Sequence, residues 1–150
     1  MVNILIVEDS NHDMGLYRKA IIPQTDVNLF YSESAEEALH VMEDNKIDIF
    51  FLDIELPGIS GFELAGKIRA VPAYSLAYIV FITGYSQNQL DAFKEFHCYD
   101  YIVKPFTAEE FSSKLNALIG QVAVVKKKTE SRKLVPIVAL NGEYLVCLDD

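Results

Sequence analysis

The sequence predicts an α/β fold, in which a doubly wound parallel sheet of five strands carries helices on both faces. Over residues 1–119, five short apolar runs alternate with five helix-start signals, an order that favours parallel strands joined by crossover helices. The first, third and fourth runs are nearly continuous in Ile, Leu, Val and Phe, as strands buried on both faces require. Hydrophobic residues make up 51% of the chain, which is enough for a core and excludes overall disorder.

The predicted strands and helix starts follow one another in a regular order. The strands span residues 2–7, 27–31, 47–52, 77–82 and 99–103. The helix starts are Ser10, Ser34, Ser60, Ser86 and Thr107, each followed three positions later by an acidic or amide residue. This spacing is typical of a capping box, or of a near variant of it at Ser10. The starts lie 21 to 26 residues apart, which fits one strand, one helix and two turns.

The last thirty residues predict a different organisation. Residues 120–133, with three consecutive lysines, are interpreted as a solvated linker. Residues 134–150 predict a β-hairpin, because Asn141 and Gly142 form a strong two-residue turn signal between apolar strands. Pro136 lacks a backbone N–H, so the first of these strands is expected at a sheet edge. A lone hairpin is marginally stable in water. It therefore packs on the first domain, pairs with another chain, or begins a second domain.

Charge and hydropathy restrict the partners of the chain. The formal net charge is −9, and residues 1–119 hold 18 acids and 8 bases, a net of −10. This domain is expected to repel nucleic acid. No apolar run approaches the roughly 20 residues of a membrane span, so we expect a cytoplasmic protein without membrane contact.

The ends of the predicted strands carry the residues that could perform chemistry. Ligands of open parallel sheets bind beyond the carboxyl ends of the strands. Four strands deliver functional groups there: Glu8 and Asp9, Asp53, Thr83, and Lys104. Converging carboxylates repel one another unless a hard cation such as Mg²⁺ or Mn²⁺ binds them. With a lysine and a hydroxyl nearby, the pattern predicts a phosphoryl-binding site in which a carboxylate can be the nucleophile.

Four segments of this chain resemble the receiver domain of two-component response regulators. They are ILIVEDS (4–10), FFLDIELPGISGFEL (50–64), VFITGY (80–85) and YDYIVKPF (99–106). The resemblance covers residues 1–119 and implies a flavodoxin-like (βα)5 fold. It implies that Asp53 accepts a phosphoryl group from a histidine kinase and that Lys104 contacts the phosphoryl oxygens. Glu8, Asp9, Asp53 and the backbone carbonyl of Glu55 would hold Mg²⁺.

The same resemblance implies a conformational switch. Thr83 would move to hydrogen-bond the phosphoryl group, and Tyr101 matches an aromatic position that turns inward on activation. Lys104 and Pro105 match a cis peptide of the family, while Glu55 and Tyr85 match variable positions that tune hydrolysis. The face formed by the fourth helix, fifth strand and fifth helix, about residues 86–119, is expected to bind a partner or a second copy of the chain.

The tail, SRKLVPIVALNGEYLVCLDD (131–150), resembles the first strands of a LytTR-type DNA-binding domain. This implies a transcription-regulating output domain, mostly absent from the chain, through which alone DNA would be bound. A hairpin used for self-association and a strand that packs on the receiver domain are the alternatives.

A second class of function is a Mg²⁺-dependent phosphohydrolase of the haloacid dehalogenase type, which also uses an Asp nucleophile on a sheet. That class requires a second Asp two residues after the nucleophile, following its first strand. Here the candidate nucleophile follows the third strand, and Glu55 stands in the second position. The sequence therefore favours a phospho-accepting regulator, not an enzyme with turnover.

Overall fold

The computed structural model describes residues 1–21, 26–84, 100–134, 139–140 and 143–144. Its main sheet has five strands: β1 (Val2–Val7), β2 (Val27–Ser32), β3 (Ile49–Asp53), β4 (Tyr78–Thr83) and β5 (Asp100–Val103). All neighbouring pairs are parallel, and the strand order is β2-β1-β3-β4-β5. The predicted doubly wound, flavodoxin-like sheet is confirmed.

Four described α-helices accompany this sheet. They are α1 (Asn11–Ile21), α2 (Ala35–Asp44), α3 (Gly61–Ala70) and α4 (Ala108–Leu134), and a short 3₁₀ turn follows α3 at Pro72–Tyr74. The helix predicted to start at Ser86 lies outside the described residues, so the helix after β5 is numbered α4 here.

Three of the predicted helix caps are observed as hydrogen bonds. The hydroxyl of Ser34 accepts from the N–H of Glu37 at 3.2 Å, and that of Ser60 accepts from the N–H of Glu63 at 3.2 Å. The Thr107 hydroxyl likewise accepts from the N–H of Glu110 at 3.1 Å. Each bond satisfies a donor that the first turn of a helix leaves unpaired, which explains why these helices begin where the sequence predicts.

The core forms two layers, one on each face of the sheet. On one face, β1, β3 and β4 pack against α1 and α4, with Phe51 of β3 in ring contact with Phe111 of α4. On the other face, alternate residues of the same strands pack against α2 and α3. All five residues of β3 are buried, as a central strand covered on both sides requires. The carboxyl ends of the strands, where the candidate residues stand, therefore meet at one edge of the sheet.

The segment predicted as a solvated linker is helical. Helix α4 continues without a break through residues 120–133 to Leu134. The sequence permits this, because after Gly120 neither Gly nor Pro occurs before Pro136, and Lys, Glu, Arg and Gln are good helix formers. A helix can still connect two folded units, so the domain boundaries at 119 and 133 stay predictions.

A lysine near the middle of this helix contacts the start of the sheet. The Nζ atom of Lys126 lies 2.9 Å from Oδ2 of Asp48 and 2.5 Å from the carbonyl oxygen of Met1. Asp48 also accepts a hydrogen bond from the backbone N–H of Asn3 at 2.8 Å. These contacts hold α4 against the end of the sheet opposite the candidate site.

The predicted tail hairpin is described at four residues. Strands β6 (Ala139–Leu140) and β7 (Glu143–Tyr144) pair antiparallel on either side of Asn141 and Gly142. The first predicted strand began at residue 134, but Leu134 ends α4 instead. Residues 135–138, 141–142 and 145–150 lie outside the described part, and the role of the hairpin stays a prediction.

Candidate functional site

Three predicted carboxylates come together at the carboxyl edge of the sheet. Glu8 and Asp9 follow β1, Asp53 ends β3, and one oxygen of each lies within 4.8 Å of the other two. Glu8 is 1% exposed and Asp53 is 5% exposed, whereas Asp9 is open to solvent. This donor set of clustered carboxylate oxygens with a solvent opening suits Mg²⁺ or Mn²⁺, which prefer oxygen ligands and retain water.

Lys104 supplies the positive charge of the site. Its Nζ atom lies 3.1 Å from Oε2 of Glu8, 3.1 Å from Oδ2 of Asp53 and 3.1 Å from Oδ2 of Asp13. The residue follows β5, and its backbone N–H donates to the carbonyl of Thr83 at 2.7 Å. The Lys104–Pro105 peptide is cis, as the family resemblance implied. The predicted lysine therefore reaches the predicted carboxylates.

Two residues of the site were not predicted from the sequence. Asp13 pairs with Lys104, and the hydroxyl of Tyr17 donates to Oε2 of Glu8 at 3.1 Å. Both belong to α1, which runs from the end of β1. Asp13 and Tyr17 are four residues apart, so they share one face of α1. That spacing was the only sequence signal for these two residues. Using it to predict the site would require knowing that this face of α1 turns toward the acids.

The ring of Tyr17 is fixed by its neighbours. It is fully buried, with its centroid 5.6 Å from that of Phe106 and 5.1 Å from that of Phe111. Its hydroxyl and the backbone N–H of Ser10, which donates to Oε1 at 3.2 Å, together hold both oxygens of Glu8. Both carboxylate oxygens of Glu8 therefore accept hydrogen bonds from fixed donors.

The backbone around Asp53 is held by two local contacts. Oδ1 of Asp53 accepts a hydrogen bond from the N–H of Glu55 at 3.0 Å. Gly61, the first residue of α3, packs directly on the backbone of Asp53, and any Cβ atom at this position would collide with the Asp53 carbonyl. The start of α3 therefore restrains the strand end that carries the candidate nucleophile.

Burial and charge shift the pKa values in the site. Burial, followed by the hydrogen bond and the charge of Asp53, raises the pKa of Glu8 to about 7, although Lys104 opposes this. Burial alone would lower the pKa of Lys104, but the carboxylates of Asp53, Asp13 and Glu8 outweigh it and raise that pKa. The site thus holds more negative charge than one ammonium balances, which is a further reason why a divalent cation fits.

The two predicted switch residues occupy neighbouring strands. Thr83 ends β4 and is buried, and Tyr101 lies half-buried on β5, opposite Phe81. Because side chains alternate along a strand, Thr83 and Tyr101 lie on the same face of the sheet, the face that packs on α2 and α3. Tyr85 lies outside the described residues, and the predicted roles of Thr83, Tyr101 and the Glu55 carbonyl stay predictions.

The fold and this set of residues define a class of signalling domain. The family model described as "Response regulator receiver domain" matches residues 4–116. The chain belongs to this family, as its motifs predicted.

Two curated relatives show the context in which similar chains occur. The chain is 37% identical over 158 residues to the sensory transduction protein LytT of Enterococcus faecalis, covering 99% of this chain and 63% of that protein. It is 31% identical over 148 residues to the transcriptional regulatory protein NatR of Bacillus subtilis, covering 97% of this chain and 56% of that protein. The relative named LytT agrees with the predicted subfamily. The chain spans less than two thirds of the length of each of these relatives.

A solved structure of a similar protein supports the fold. The response regulator TrrA of Thermotoga maritima, solved in complex with Mg²⁺ and BeF, is 33% identical to this chain, with a TM-score of 0.66. The match covers 79% of this chain and 99% of that one.

Within the part of the chain that the structure describes, no helix has the length and apolar character that crossing a membrane requires.

Proposed function

We propose that this chain is a phosphorylation-dependent signalling switch in which Asp53 accepts a phosphoryl group from a histidine kinase. One observation carries the proposal: the carboxylate of Asp53 lies 3.1 Å from the Lys104 ammonium and within 4.8 Å of the acids that could hold a metal. The membership of the receiver family gives this arrangement its context.

The proposed chemistry is the transfer of a phosphoryl group to a carboxylate. An oxygen of Asp53 attacks phosphorus and forms an O–P bond, while the P–N bond of the phosphohistidine breaks and its electron pair leaves with the imidazole nitrogen. The Lys104 ammonium balances charge on the phosphoryl oxygens. Glu8, Asp9, Asp53 and the carbonyl of Glu55 would hold Mg²⁺ or Mn²⁺, which supplies further positive charge to those oxygens.

The side of the sheet next to Asp53 would carry the response. Thr83 stands on β4, the strand beside β3, and Tyr101 stands on β5, one strand further. A hydroxyl that moves toward a new dianion leaves space behind it, and an aromatic ring on the next strand can enter that space. Phosphorylation of Asp53 would thus shift the equilibrium between two packings of Thr83 and Tyr101 that differ by a few kcal/mol in free energy.

The output is proposed from the relatives. Transcriptional regulation, binding of DNA through an appended LytTR-type domain, and pairing of two chains through the face at about residues 86–119 are parts of this proposal. Residues 86–99 of that face lie outside the described part of the chain. A sensor histidine kinase in the cytoplasm is the proposed source of the phosphoryl group.

The test uses a small phosphodonor in place of the unidentified kinase. The chain is incubated with acetyl phosphate and Mg²⁺, and its intact mass is followed over time. We expect one phosphoryl group per chain, lost in Asp53→Asn and in excess chelator. An adduct that persists in Asp53→Asn contradicts the assignment of the nucleophile. Many turnovers of donor without a stable adduct indicate a phosphohydrolase of the haloacid dehalogenase type instead.

A further inference from the structure

The Lys104 ammonium has three carboxylate neighbours from three different elements. Glu8 follows β1, Asp53 ends β3, and Asp13 lies in the first turn of α1. Each contributes one oxygen at 3.1 Å from Nζ. An ammonium has three N–H donors, so three carboxylates match its full capacity. A phosphoryl oxygen on Asp53 can gain a donor from Lys104 only if one carboxylate gives its place up.

Two of the three carboxylates are held by additional groups. Glu8 accepts hydrogen bonds from the Tyr17 hydroxyl and from the N–H of Ser10, and its side chain is 1% exposed. Asp53 carries the phosphoryl group itself in the proposed reaction, and its other oxygen accepts from the N–H of Glu55. Both residues also accept a hydrogen bond from Lys104 at 3.1 Å. Each of the two is therefore held by at least one group besides Lys104.

Asp13 is the neighbour that can leave most easily. Its side chain is 18% exposed, compared with 7% for Asp53 and 1% for Glu8. It stands in the first turn of α1, which follows the exposed Asp9. A carboxylate that is partly in water already loses little when it rotates fully into water.

We propose that Asp13 is a positioning residue that competes with the phosphoryl group for Lys104 and thereby limits how readily Asp53 is modified. This inference depends on the proposed role of Asp53 as phosphoacceptor. Before modification, Asp13 holds the ammonium against the acids and balances its charge. On modification, the phosphoryl oxygens take its place, and Asp13 turns to solvent.

The expected effect follows from the exposure of the pair. An ion pair that is partly open to water contributes between a few tenths and about 1 kcal/mol, so loss of the competitor should favour the modified state about two- to fivefold. The Asp13→Asn variant keeps the size of the side chain and removes the charge that pairs with Lys104. Asp13→Glu keeps the charge and should restore the competition.

The experiment measures the affinity of the chain for beryllium trifluoride, whose fluorines stand in for the phosphoryl oxygens, at saturating Mg²⁺. Titration followed by NMR gives the Kd, and the rate of adduct formation with acetyl phosphate gives an independent measure. Saturating Mg²⁺ removes any effect of the substitution on metal affinity. We expect Asp13→Asn to lower the Kd and raise the rate about two- to fivefold, and Asp13→Glu to match the wild type.

The matched control is Glu33→Gln. Glu33 is an exposed carboxylate after β2, at the same edge of the sheet, and is not one of the three carboxylates around Lys104. An equal gain in Glu33→Gln means that general charge removal is responsible and overturns the inference. An unchanged or weaker affinity in Asp13→Asn also overturns it. If Asp13→Asn does not fold, Asp13→Ser carries the same test.

The wild-type chain separates this inference from the proposed function. If it neither binds beryllium trifluoride nor accepts a phosphoryl group, both the proposed function and the inference fail. If it does both while the Asp13 variants behave like the wild type, the proposed function stands and the inference alone fails.

Discussion

The hydroxyl groups of two tyrosines meet opposite conditions in this molecule. The hydroxyl of Tyr17 donates to Glu8, whereas that of Tyr31 on β2 is buried without a hydrogen-bond partner in the part of the chain that the structure describes. A buried hydrogen bond to a charged group stabilises a fold, but an unsatisfied buried hydroxyl does not. Replacing each tyrosine by phenylalanine therefore removes one hydroxyl that is hydrogen-bonded and one that is not.

We expect Tyr17→Phe to lower the free energy of unfolding by about 1–2 kcal/mol, because Glu8 loses a donor while the ring contacts remain. Tyr31→Phe should be neutral or slightly stabilising. Urea unfolding of both variants in chelator measures the difference. Equal losses in the two variants would show that the hydrogen bond to Glu8 contributes nothing specific.

The raised pKa of Glu8 predicts how stability changes with pH. Its folded value of about 7 lies above the ordinary value of 4.5, so the folded chain binds this proton more tightly than the unfolded chain. The resulting stability is fully present below about pH 4.5 and is lost as the pH rises through 7. Without a divalent cation, Glu8→Gln should not show this loss. Thermal unfolding of both proteins between these pH values, in chelator, checks the prediction, and parallel pH profiles would contradict it.

At the scale of single elements, the start of α3 restrains the end of β3. Gly61→Ala would place a methyl group in the Asp53 backbone, where neither side can yield easily. We expect the free energy of unfolding to fall by about 1–3 kcal/mol and phosphoryl acceptance to be reduced, because the strand end has to shift.

Gly66→Ala is the control. Gly66 lies in the same helix and is exposed, and a Cβ atom there would meet no atom within 4 Å. That variant should gain about 0.5–1 kcal/mol. Chemical denaturation compares the two, and a Gly61→Ala protein as stable as the control would refute the close packing.

The elements differ in how well the sequence predicts them. The caps at Ser34, Ser60 and Thr107 are local signals, and the helices begin where these signals stand. The end of α4 has no such signal, because solvated lysines are equally compatible with a linker and with an exposed helix. The strands are predicted to within two residues, because buried parallel strands require continuous apolar runs.

The site was predictable only in part, for a related reason. Glu8, Asp9, Asp53, Thr83 and Lys104 stand at strand ends, and a parallel sheet brings strand ends together. Asp13 and Tyr17 stand on a helix, and the direction in which a helical face points depends on how the helix packs. The contact between Lys126 and Asp48 depends on the path of the whole chain, and no local pattern indicates it.

At the scale of the whole molecule, the excess of negative charge couples metal binding to stability. A cation that binds only the folded chain stabilises it by about 1.4 kcal/mol at tenfold excess over its Kd. We expect Mg²⁺ at millimolar concentrations to raise the Tm of the wild type, and to raise that of Asp9→Ala much less, because one carboxylate of the cluster is missing. Differential scanning calorimetry with and without Mg²⁺ measures this. An equal rise in both proteins would place the cation elsewhere.

The contact of Lys126 with the carbonyl of Met1 has a practical consequence for anyone who handles this protein. A purification tag fused before Met1 would lie beside α4. Its bulk would weaken the contact between this helix and the β-sheet. Biophysical comparisons among variants are therefore best made on tag-free material.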